Sequence, residues 1–367
     1  MKILYVTTIG RTMRFFETFI KELVNGGHSV DIATNESNSP IPESYNELGC
    51  YCHHIDFSRF PLSLDNLKAF GQLRSVIENG NYDIVHCHTP NAAVITRFVC
   101  RNYRKKKGLT VFYTAHGFHF YKGAPMLNWM AYYPIEKLCS RYTDKLITIN
   151  IEDYELAKKK FKAKEVHYVP GVGVDLSRFQ NVQVDRAVKR FEIGILEEAF
   201  LLVSVGELIP RKNHSVILEA LAKLENEDVH YIIVGHGELL NELQSLAKAY
   251  NIQSRVHFLG YRKDVAELYA VSDLCCFPSI HEGLPVALME AMASGLPIVC
   301  SNIRGNVDLI NHDGGKLINP HDVTAWSDAI QSVISGDMEK MGEVNRSRVK
   351  DFSIENILIT MKSIYEI

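Results

Sequence analysis

Residues 274–301 read LCCFPSIHEGLPVALMEAMASGLPIVCS and place two short apolar runs on either side of a segment of helical composition. The first run, LCCFPSI, is typical of a buried strand, and the HEGLP that follows indicates a turn. Pro285 suits the first position of a helix, and Gly295 suits its end. The second run, LPIVCS, begins directly after that glycine. The segment therefore predicts a strand, a helix and a second, parallel strand.

The same alternation of strands and helices extends over most of the chain. In the first half, strands are predicted at KILYVTT, SVDIAT, DIVHCH, TVFYTAH and KLITIN, with helices such as MRFFETFIKELVNGG and LDNLKAFGQLRSVIENG between them. In the second half, FLLVSVGE, VHYIIVGHGE and RVHFLG precede the two strands quoted above. Strands that alternate with helices predict a parallel sheet that is covered on both faces.

The length of the chain, 367 residues, is too great for a single core of ordinary size, so two domains are expected. The stretch from Pro170 to Phe179 contains Gly and Pro and is the predicted linker. We therefore predict an α/β protein with two Rossmann-like domains, residues 1–170 and 171–350, which face each other across a cleft. Apolar side chains at helical spacing predict a further helix in residues 351–367.

The composition is that of an ordinary soluble globular protein, with 46% hydrophobic residues, 23% charged residues and a formal net charge of −3. This excludes a disordered chain, and no nucleic-acid partner is expected. The apolar runs are too short to span a bilayer, and the N-terminus resembles a strand rather than a signal peptide, so a cytoplasmic protein is expected. Several cysteines lie in apolar runs and are expected as buried free thiols, namely Cys87, Cys275, Cys276 and Cys300.

Two other patterns have to be weighed as ligand sites. Residues 50–54 and 86–88 combine Cys and His, but neither has a second ligand pair at the spacing of a zinc site, so no metal is expected. The first predicted turn has one glycine, Gly10, which argues against a dinucleotide there. Gly235 and Gly237 in VGHGELLNEL match a phosphate loop only in part, and simple turn chemistry explains them equally well.

Two glutamates flank the start of the helix in the opening segment, with Glu282 before it and Glu290 inside it. The backbone N–H groups near Gly283 and Leu284 form a helix N-terminus that suits a phosphate. Carboxylates beside such a site can accept hydrogen bonds from the hydroxyls of a nucleotide sugar. The alternative is a capping carboxylate followed by a solvated helix glutamate. That alternative is weakened because Glu290 lies among Ala, Met and Leu, where an idle charge would be costly.

The E-x7-E spacing of Glu282 and Glu290, followed by AMASGLPIV, is similar to the signature of glycosyltransferase family 4. The resemblance covers nearly the whole chain, because DIVHCHTP, YTAHGFHFYKGAP, VPGVGVD, VGELIPRKNH, IIVGHGE and FLGYRKDV occur in the family's order. It implies a retaining enzyme of GT-B fold, in which residues 351–367 cross back to the N-terminal domain. HGFHF and VGELxxxKNH resemble bacterial capsule and exopolysaccharide transferases. The implied substrates are a UDP-hexose or UDP-N-acetylhexosamine and a saccharide acceptor linked to undecaprenyl diphosphate.

The resemblance also implies roles at the donor site, where Glu282 contacts the hexose and Glu290 holds the ribose. The family clamps the diphosphate with an arginine and a lysine in the pattern G-R-L-x-x-x-K. Here Lys212 matches the lysine, but Glu207 stands in place of the arginine. Nearby arginines are candidates for the missing charge, although each could equally be a solvated surface residue. The expected donor-binding residues are Glu290, Lys212, Arg211, Gly283, Leu284, Pro285, Arg262, Gly235 and Arg304.

The candidate on the N-terminal side is His116, which follows the predicted strand TVFYTA and matches the family's active-site histidine. The resemblance implies that His116 and Glu282 are the catalytic residues and that His116 hydrogen-bonds the reacting sugar. Gly10, His119 and His88 are expected on the acceptor side, although burial is the simpler account of His88.

The mechanism implied by the family is front-face transfer, in which the leaving phosphate helps to deprotonate the acceptor. No Asp-x-Asp occurs in the chain, so no metal or other cofactor is expected, with Lys212, arginine and the helix N-terminus in place of a divalent cation. A non-catalytic nucleotide-sugar-binding subunit and a GT-B epimerase are the alternatives. His116 argues against the first, and the lack of an acid/base carboxylate set argues against the second.

The stretch RNYRKKKG, residues 101–108, is strongly basic within a slightly acidic chain. Such a cluster can attract an anionic leaflet, which would suit a lipid-linked acceptor and an enzyme at the inner face of the plasma membrane. A solvated face is the alternative. Trp129, Tyr132 and Tyr133 are consistent with an interfacial surface, and equally with a helix packed into the core.

Overall fold

The computed structural model describes residues 1–37, 39–106 and 108–367. The chain divides into two compact units, of which the first comprises residues 1–172 and 360–367 and the second comprises residues 173–359. The division after Val172 lies within two residues of the predicted one. The segment that rejoins the first unit starts at Thr360 rather than at residue 351.

The sheet of the first unit has seven strands within the described residues, in the order β3-β2-β1-β4-β5-β6-β7. All neighbouring pairs are parallel, as the alternation of elements predicts. Because β1 lies between β2 and β4, the order of the strands reverses there, and ligands bind at such points in open sheets. The strands are β1 (Lys2–Ile9), β2 (Ser29–Asn35), β3 (Tyr51–His54), β4 (Ile84–His88), β5 (Thr110–Ala115), β6 (Lys145–Thr148) and β7 (Glu165–Tyr168).

Helices connect these strands, and their apolar faces form one core with the sheet. Leu73 and Ala92 pack in this core with Val85 and Val111 of the central strands. The predicted helix over residues 13–27 is a 3-10 helix, Gly10–Phe15, followed by an α-helix. The α-helices of this unit are α1 (Glu17–Asn25), α2 (Ser44–Glu47), α3 (Asp65–Gly80), α4 (Pro90–Cys100), α5 (Tyr103–Lys106), α6 (Met126–Cys139) and α7 (Ile151–Lys160).

The second unit has a parallel sheet of six strands within the described residues, in the order β10-β9-β8-β11-β12-β13. Its order reverses between β8 and β11. The strands are β8 (Phe200–Val205), β9 (Val229–Val234), β10 (Val256–Gly260), β11 (Leu274–Phe277), β12 (Ile298–Ser301) and β13 (Gly315–Ile318). The helices are α8 (Arg186–Glu192), α9 (His214–Lys223), α10 (Leu240–Ala249), α11 (Val265–Ala270), α12 (Val286–Ala293), α13 (Asn306–Leu309), α14 (Val323–Ile334) and α15 (Met338–Arg348).

Three strands are absent from the prediction, namely β3, β7 and β13. Each has four residues, lies at the edge of its sheet and is only partly buried. A short edge strand needs no continuous apolar run, because no strand pairs with its outer edge and its side chains stay partly exposed. The apolar pattern that identifies the central strands is therefore missing from these three.

The last helix, α16 (Ile354–Tyr365), runs from the second unit into the first. In the first unit, the Tyr365 hydroxyl lies 2.6 Å from His86 Nδ1 and donates to the Tyr5 hydroxyl at 3.0 Å. Lys145 Nζ donates to the carbonyl of Ile364 at 2.7 Å. The predicted return of the C-terminal helix to the N-terminal domain is thus confirmed. In the described part of the chain, no helix has both the length and the apolar character needed to cross a membrane.

Candidate active site

The loop after β8 carries the lysine of the second unit's site. A short 3-10 helix, Pro210–Lys212, ends at Asn213, which adopts a left-handed conformation with φ of 54°. The Asn213 side chain donates to the carbonyls of Pro278 at 3.2 Å and Pro320 at 2.8 Å. These bonds hold the lysine loop against the loop that follows β11. Sequence reasoning missed Asn213, although asparagine is one of the few residues that favour this conformation.

Glu282 lies opposite this lysine on the loop after β11. Its Oε1 atom is 2.7 Å from Lys212 Nζ and 2.8 Å from Arg211 Nη1. Burial favours the neutral acid, but the charges of Lys212 and Arg211 outweigh it, so the pKa of Glu282 is lowered. Glu282 is therefore an ionised carboxylate that holds two cations at one point. Arg211 also donates to the carbonyl of His281 at 2.9 Å.

Arg304 supplies a third cation from the loop after β12. It is buried, its Nε donates to the carbonyl of Glu282 at 3.3 Å, and its Nη2 lies 2.8 Å from His281 Nε2. Because arginine can only donate, His281 accepts this bond. Gly305 allows the loop after β12 to approach the loop after β11 closely, since a Cβ atom on Gly305 would lie 2.3 Å from the carbonyl oxygen of Gly283. Sequence reasoning did not identify His281, which lies in the loop after β11 and directly precedes Glu282.

Glycines also shape the loops after β8 and β9. A Cβ atom on Gly235 would lie 1.9 Å from the carbonyl oxygen of Gly206, and Gly235 has φ of 152°. Leu208 N donates to the carbonyl of His236 at 3.0 Å, which joins the same two loops. Glu207, the departure from the family pattern, is exposed. The cations that gather in this unit are thus Arg211, Lys212 and Arg304.

The N-terminus of α12 presents unpaired donors beside this cluster. Pro285 occupies the N-cap rather than the predicted first helical position, because its ψ of 120° is extended. The backbone N–H groups of Gly283 and Leu284 form no hydrogen bond with any residue that the structure describes. Buried N–H groups are rarely left without partners, so this arrangement suits an anion.

Glu290 lies in the second turn of α12 in different surroundings. Within the described residues, no side chain donates a hydrogen bond to its carboxylate. Burial raises the pKa of Glu290, and the more distant charge of Arg178 only partly opposes this. The two carboxylates of the E-x7-E motif therefore differ, since Glu282 is paired with cations and Glu290 remains available as an acceptor for hydroxyls.

Arg262 does not join the cluster around Glu282. Its guanidinium binds Asp264 at 2.8 Å through Nε and Glu192 at 2.6 Å through Nη2. Lys189 Nζ also lies 2.5 Å from the same aspartate. These hydrogen bonds raise the pKa of Arg262, and its contacts place it in a separate ion-pair network.

His116 lies at the carboxyl end of β5 in the first unit and is partly buried. Its Nε2 atom is 3.1 Å from Nδ1 of His88, which ends β4. Burial lowers the pKa of His116 to about 4, so the ring is neutral at pH 7. The His88 ring stacks on Phe16 at 4.1 Å between centroids and on Tyr5 at 5.5 Å. Burial, and secondarily the nearby His86, place the pKa of His88 well below its usual value.

The hydrogen bond between these histidines favours one arrangement of protons. His88 Nε2 is buried and has no partner among the described residues. An unpartnered buried N–H group costs more than an unpartnered lone pair, so His88 carries its proton on Nδ1 and donates it to His116. His116 then carries its own proton on Nδ1. That N–H group has no acceptor among the described residues and is available to a ligand.

The other predicted residues of the first unit lie around a cavity of about 260 Å³ at the ends of β1 and β4. His119 lines it and stacks on Tyr132 with centroids 4.7 Å apart. Gly10 lies next to this region, and a Cβ atom there would lie 2.1 Å from the carbonyl oxygen of Ser39. The cavity is lined by Thr8, Ile9, Thr12, Arg59, Pro61, Thr89, Pro90, Asn91, His119 and Tyr132.

His86, from one of the Cys and His patterns, and Arg104, from the basic stretch, have local partners. His86 is bonded through Nδ1 to Tyr365 and through Nε2 to Thr114 Oγ1 at 2.8 Å. All eight cysteines are free. No group of three or more metal-ligating side chains occurs in residues 1–37, 39–106 and 108–367. In the basic stretch, Arg104 binds Asp144 at 2.6 Å, and Lys107 lies outside the described residues.

The aromatic residues of α6 pack inward. Trp129, Tyr132 and Tyr133 lie against the core of the first unit, as the second of the two interpretations predicts. The large apolar side chains of this helix that are exposed are instead Met126, Leu127, Met130, Ile135 and Leu138.

Comparison with known proteins assigns the family. The model of the glycosyl transferases group 1 matches residues 185–348, and that of the glycosyl transferase 4-like domain matches residues 2–150. The chain is 34% identical to the putative glycosyltransferase EpsD of Bacillus subtilis (strain 168), over 99% of this chain and 96% of that protein. The chain belongs to this family of glycosyltransferases.

Further similarities agree with the assignment. The glycosyltransferase is 29% identical to the UDP-Gal:alpha-D-GlcNAc-diphosphoundecaprenol alpha-1,3-galactosyltransferase of Escherichia coli, over 82% of this chain and 80% of that enzyme. Its fold matches the crystal structure of Anabaena HepE in complex with UDP, with a TM-score of 0.84, 18% identity and full coverage of both chains. Sucrose-phosphate synthase from Thermosynechococcus elongatus matches with a TM-score of 0.81 and 20% identity, over 100% of this chain and 98% of that one. The predicted GT-B fold and the family are confirmed.

Proposed function

We propose that this glycosyltransferase is a retaining enzyme that transfers a hexose or N-acetylhexosamine from a UDP-sugar to a saccharide carried on a polyprenyl diphosphate. The product would be an intermediate of exopolysaccharide or capsule synthesis. The observation that carries the proposal is the cluster of Arg211, Lys212 and Arg304 around Glu282, beside the unpaired N–H groups before α12. Among its relatives, one is named for UDP-Gal and a diphosphoundecaprenol-linked acceptor, which supports the choice of substrates.

The cationic cluster is assigned the diphosphate of the donor. Charge-assisted hydrogen bonds from lysine and arginine are about twice as strong as neutral ones, and the N–H groups of Gly283 and Leu284 add two donors. Glu282 holds Lys212 and Arg211 at one point before the donor arrives, which lowers the cost of orienting them. Because these side chains carry the positive charge that the leaving diphosphate needs, the proposed reaction requires no divalent metal.

The carboxylates are assigned the hydroxyls of the donor. Glu290, which has no competing donor among the described side chains, accepts hydrogen bonds from the ribose. Glu282, which is already ionised, accepts from hydroxyls of the hexose with its remaining lone pairs. His116 directs its Nδ1–H group at the reacting sugar, where a fixed donor stabilises developing charge.

In the proposed chemical step, the bond from the anomeric carbon to the phosphate oxygen breaks while the acceptor oxygen bonds to the same face of that carbon. The acceptor proton passes to the leaving phosphate oxygen, and UDP departs. The anomeric configuration of the donor is therefore retained. No side chain has to act as a nucleophile.

The acceptor is assigned to the cavity at the ends of β1 and β4, where His119 and Asn91 line the wall. Because a polyprenyl diphosphate resides in a bilayer, we place the reaction on the cytoplasmic side at the inner face of the plasma membrane, with peripheral contact to anionic lipid. Such contact needs no spanning helix.

The test is a UDP-release assay with a panel of UDP-sugars, with and without an undecaprenyl-diphosphate-linked saccharide. We expect release that depends on the acceptor, a product whose NMR spectrum shows the donor's anomeric configuration, and activity that persists in EDTA. Glu282→Ala serves as the inactive control. An inverted product would exclude the front-face step, a strict requirement for Mn²⁺ or Mg²⁺ would exclude the metal-independent mechanism, and the absence of UDP binding would exclude the donor.

A further inference from the structure

An apolar groove of about 390 Å³ lies on the first unit between the loop that precedes α3 and the face of α4. Leu62 and Leu67, on its outer side, expose 98% and 73% of their surface. Val94, Ile95 and Phe98 of α4 form its floor. A groove with this many accessible apolar side chains indicates a binding surface, because soluble proteins seldom leave such groups exposed together.

The loop that forms the groove is held by specific hydrogen bonds. Asn66 donates to the carbonyl of Phe60 at 2.8 Å and accepts from the N–H group of Ser58 at 3.0 Å. Asn91 donates to the carbonyls of Ser58 at 2.9 Å and Arg59 at 2.8 Å. Two side chains thus satisfy the backbone of an irregular segment. Leu62 is therefore exposed on a loop that these hydrogen bonds hold in place, and Leu67 is exposed in the first turn of α3.

The groove adjoins the polar cavity at the ends of β1 and β4. Pro61 lines both of them. Arg59 lines the polar side and forms no ion pair with any residue that the structure describes. The first unit therefore places an apolar groove next to a polar cavity that contains an unpaired cation.

We propose that this groove binds the part of the acceptor's polyprenyl chain nearest the diphosphate, while Arg59 binds the diphosphate itself. The inference rests on the proposed function, which assigns the polar cavity to the acceptor saccharide. In such a lipid the hydrocarbon adjoins the diphosphate and its saccharide, as the groove adjoins the cavity that contains Arg59. The groove holds only the first units of a long chain, so the remainder stays in the bilayer.

The experiment measures binding of geranyl, farnesyl and geranylgeranyl diphosphate to the full chain by calorimetry. Inorganic pyrophosphate is the probe without a hydrocarbon chain. Saturating UDP is present, so that the diphosphate site of the second unit is occupied. Because each isoprene unit adds apolar area to the contact, we expect geranylgeranyl diphosphate to bind at least about tenfold more tightly than geranyl diphosphate.

The decisive variant is the double substitution Leu62→Asp and Leu67→Asp. Both side chains are exposed, so the fold should persist, and the gain in affinity with chain length should disappear. Leu196→Asp is the matched control, because Leu196 of the second unit is also 73% exposed. Arg59→Gln should weaken binding of all three prenyl diphosphates by a similar factor, and Lys248→Gln should not.

Several results would overturn the proposal. One is affinity that does not depend on chain length, and another is a double variant that behaves as the unaltered protein does. A third is that the double variant loses affinity for phosphatidylglycerol vesicles, in the absence of prenyl diphosphate, as much as it does for prenyl diphosphates. The surface would then be a bilayer contact instead. Binding of UDP in the same samples separates this proposal from the proposed function, since normal UDP affinity with no response to prenyl chains rejects only the groove.

Discussion

The two sheets of this glycosyltransferase have the same parallel construction but carry opposite chemistry at their carboxyl edges. In the second unit, Arg211, Lys212 and Arg304 surround the ionised Glu282. In the first unit, neutral histidines stack among aromatic rings, as His88 does on Phe16. A shared architecture therefore does not determine the site, because the side chains at the strand ends decide it.

Under the proposed function, the difference follows from what each edge has to bind. A diphosphate carries charge that only cations and N–H groups can compensate, so the second unit gathers both. Sugar hydroxyls are neutral. Burying a charged side chain beside them would cost desolvation free energy that their hydrogen bonds would not offset. The low pKa values of the histidines keep the first unit's edge uncharged at pH 7.

The largest effect is expected from His116→Ala, which tests the neutral edge. Loss of a fixed donor at the reacting sugar should lower kcat by about 10²–10³. The affinity for UDP should not change, because the cationic cluster belongs to the second unit. Steady-state kinetics and calorimetry check the two parts, with His321→Ala as the control for an exposed histidine. Full activity would remove His116 from the catalytic residues.

Arg211→Ala and Lys212→Ala test the charged edge. Each removes one charged hydrogen bond to the diphosphate, which should weaken UDP binding by about ten- to a hundredfold. Calorimetric titration with UDP measures this, and Lys248→Ala is the control. An unchanged affinity in Arg211→Ala would transfer the role of the missing family arginine to Arg304.

Gly235→Ala tests the packing beneath the charged edge. A Cβ atom there would overlap the carbonyl oxygen of Gly206, so the free energy of unfolding should fall by about 1–3 kcal/mol. Gly260→Ala is the matched control, since Gly260 also has a positive φ but has open space around it. Chemical denaturation of both variants should show the larger loss for Gly235→Ala. Equal losses would show that backbone conformation, rather than the contact, sets the cost.

The last prediction concerns acid stability of the neutral edge. Burial lowers the pKa of His86 to about 3 and that of His116 to about 4, so the unfolded chain binds more protons at mildly acidic pH. The contribution of each histidine to the free energy of unfolding should therefore be greatest above pH 6.5. It should fall towards pH 4 by up to about 1.4 kcal/mol per pH unit.

Urea denaturation between pH 7 and pH 4, followed by the fluorescence of Trp129 in a Trp326→Phe background, measures this slope. His86→Leu should reduce it, because one titrating group is gone. His257→Leu, which removes a histidine of the second unit, is the comparison variant. It should leave the slope of the first unit's unfolding transition unchanged. A slope that His86→Leu leaves unaltered would contradict the neutral, buried state of His86.

Much of the fold could be predicted from the sequence, because the central strands are buried on both faces and read as apolar runs. LCCFPSI, for example, is predicted as a strand from residue 274, and its first four residues form β11, Leu274–Phe277. The edge strands could not be predicted in this way. Tyr51–His54 and Glu165–Tyr168 are only partly buried, and their pairing depends on a neighbour that the local sequence does not specify.

The site could be predicted as a set of residues but not as a set of contacts. The E-x7-E spacing identifies Glu282, yet its pairing with Lys212 joins positions 70 residues apart. That pairing exists because β8 and β11 are adjacent in the sheet. The bond between His88 and His116 likewise depends on the neighbours β4 and β5. Arg262 shows the opposite case, since a residue in a family motif is bound elsewhere.

The first unit is discontinuous in sequence, since residues 360–367 complete it, and this constrains how the protein is made. During synthesis, the N-terminal 172 residues emerge before the segment that carries Tyr365 exists. His86 then lacks the hydroxyl that binds its Nδ1, and the face covered by the last helix stays open. The second unit can complete its sheet while its last residues leave the ribosome. The first unit, although most of it is translated first, is therefore completed only after the second unit has been made.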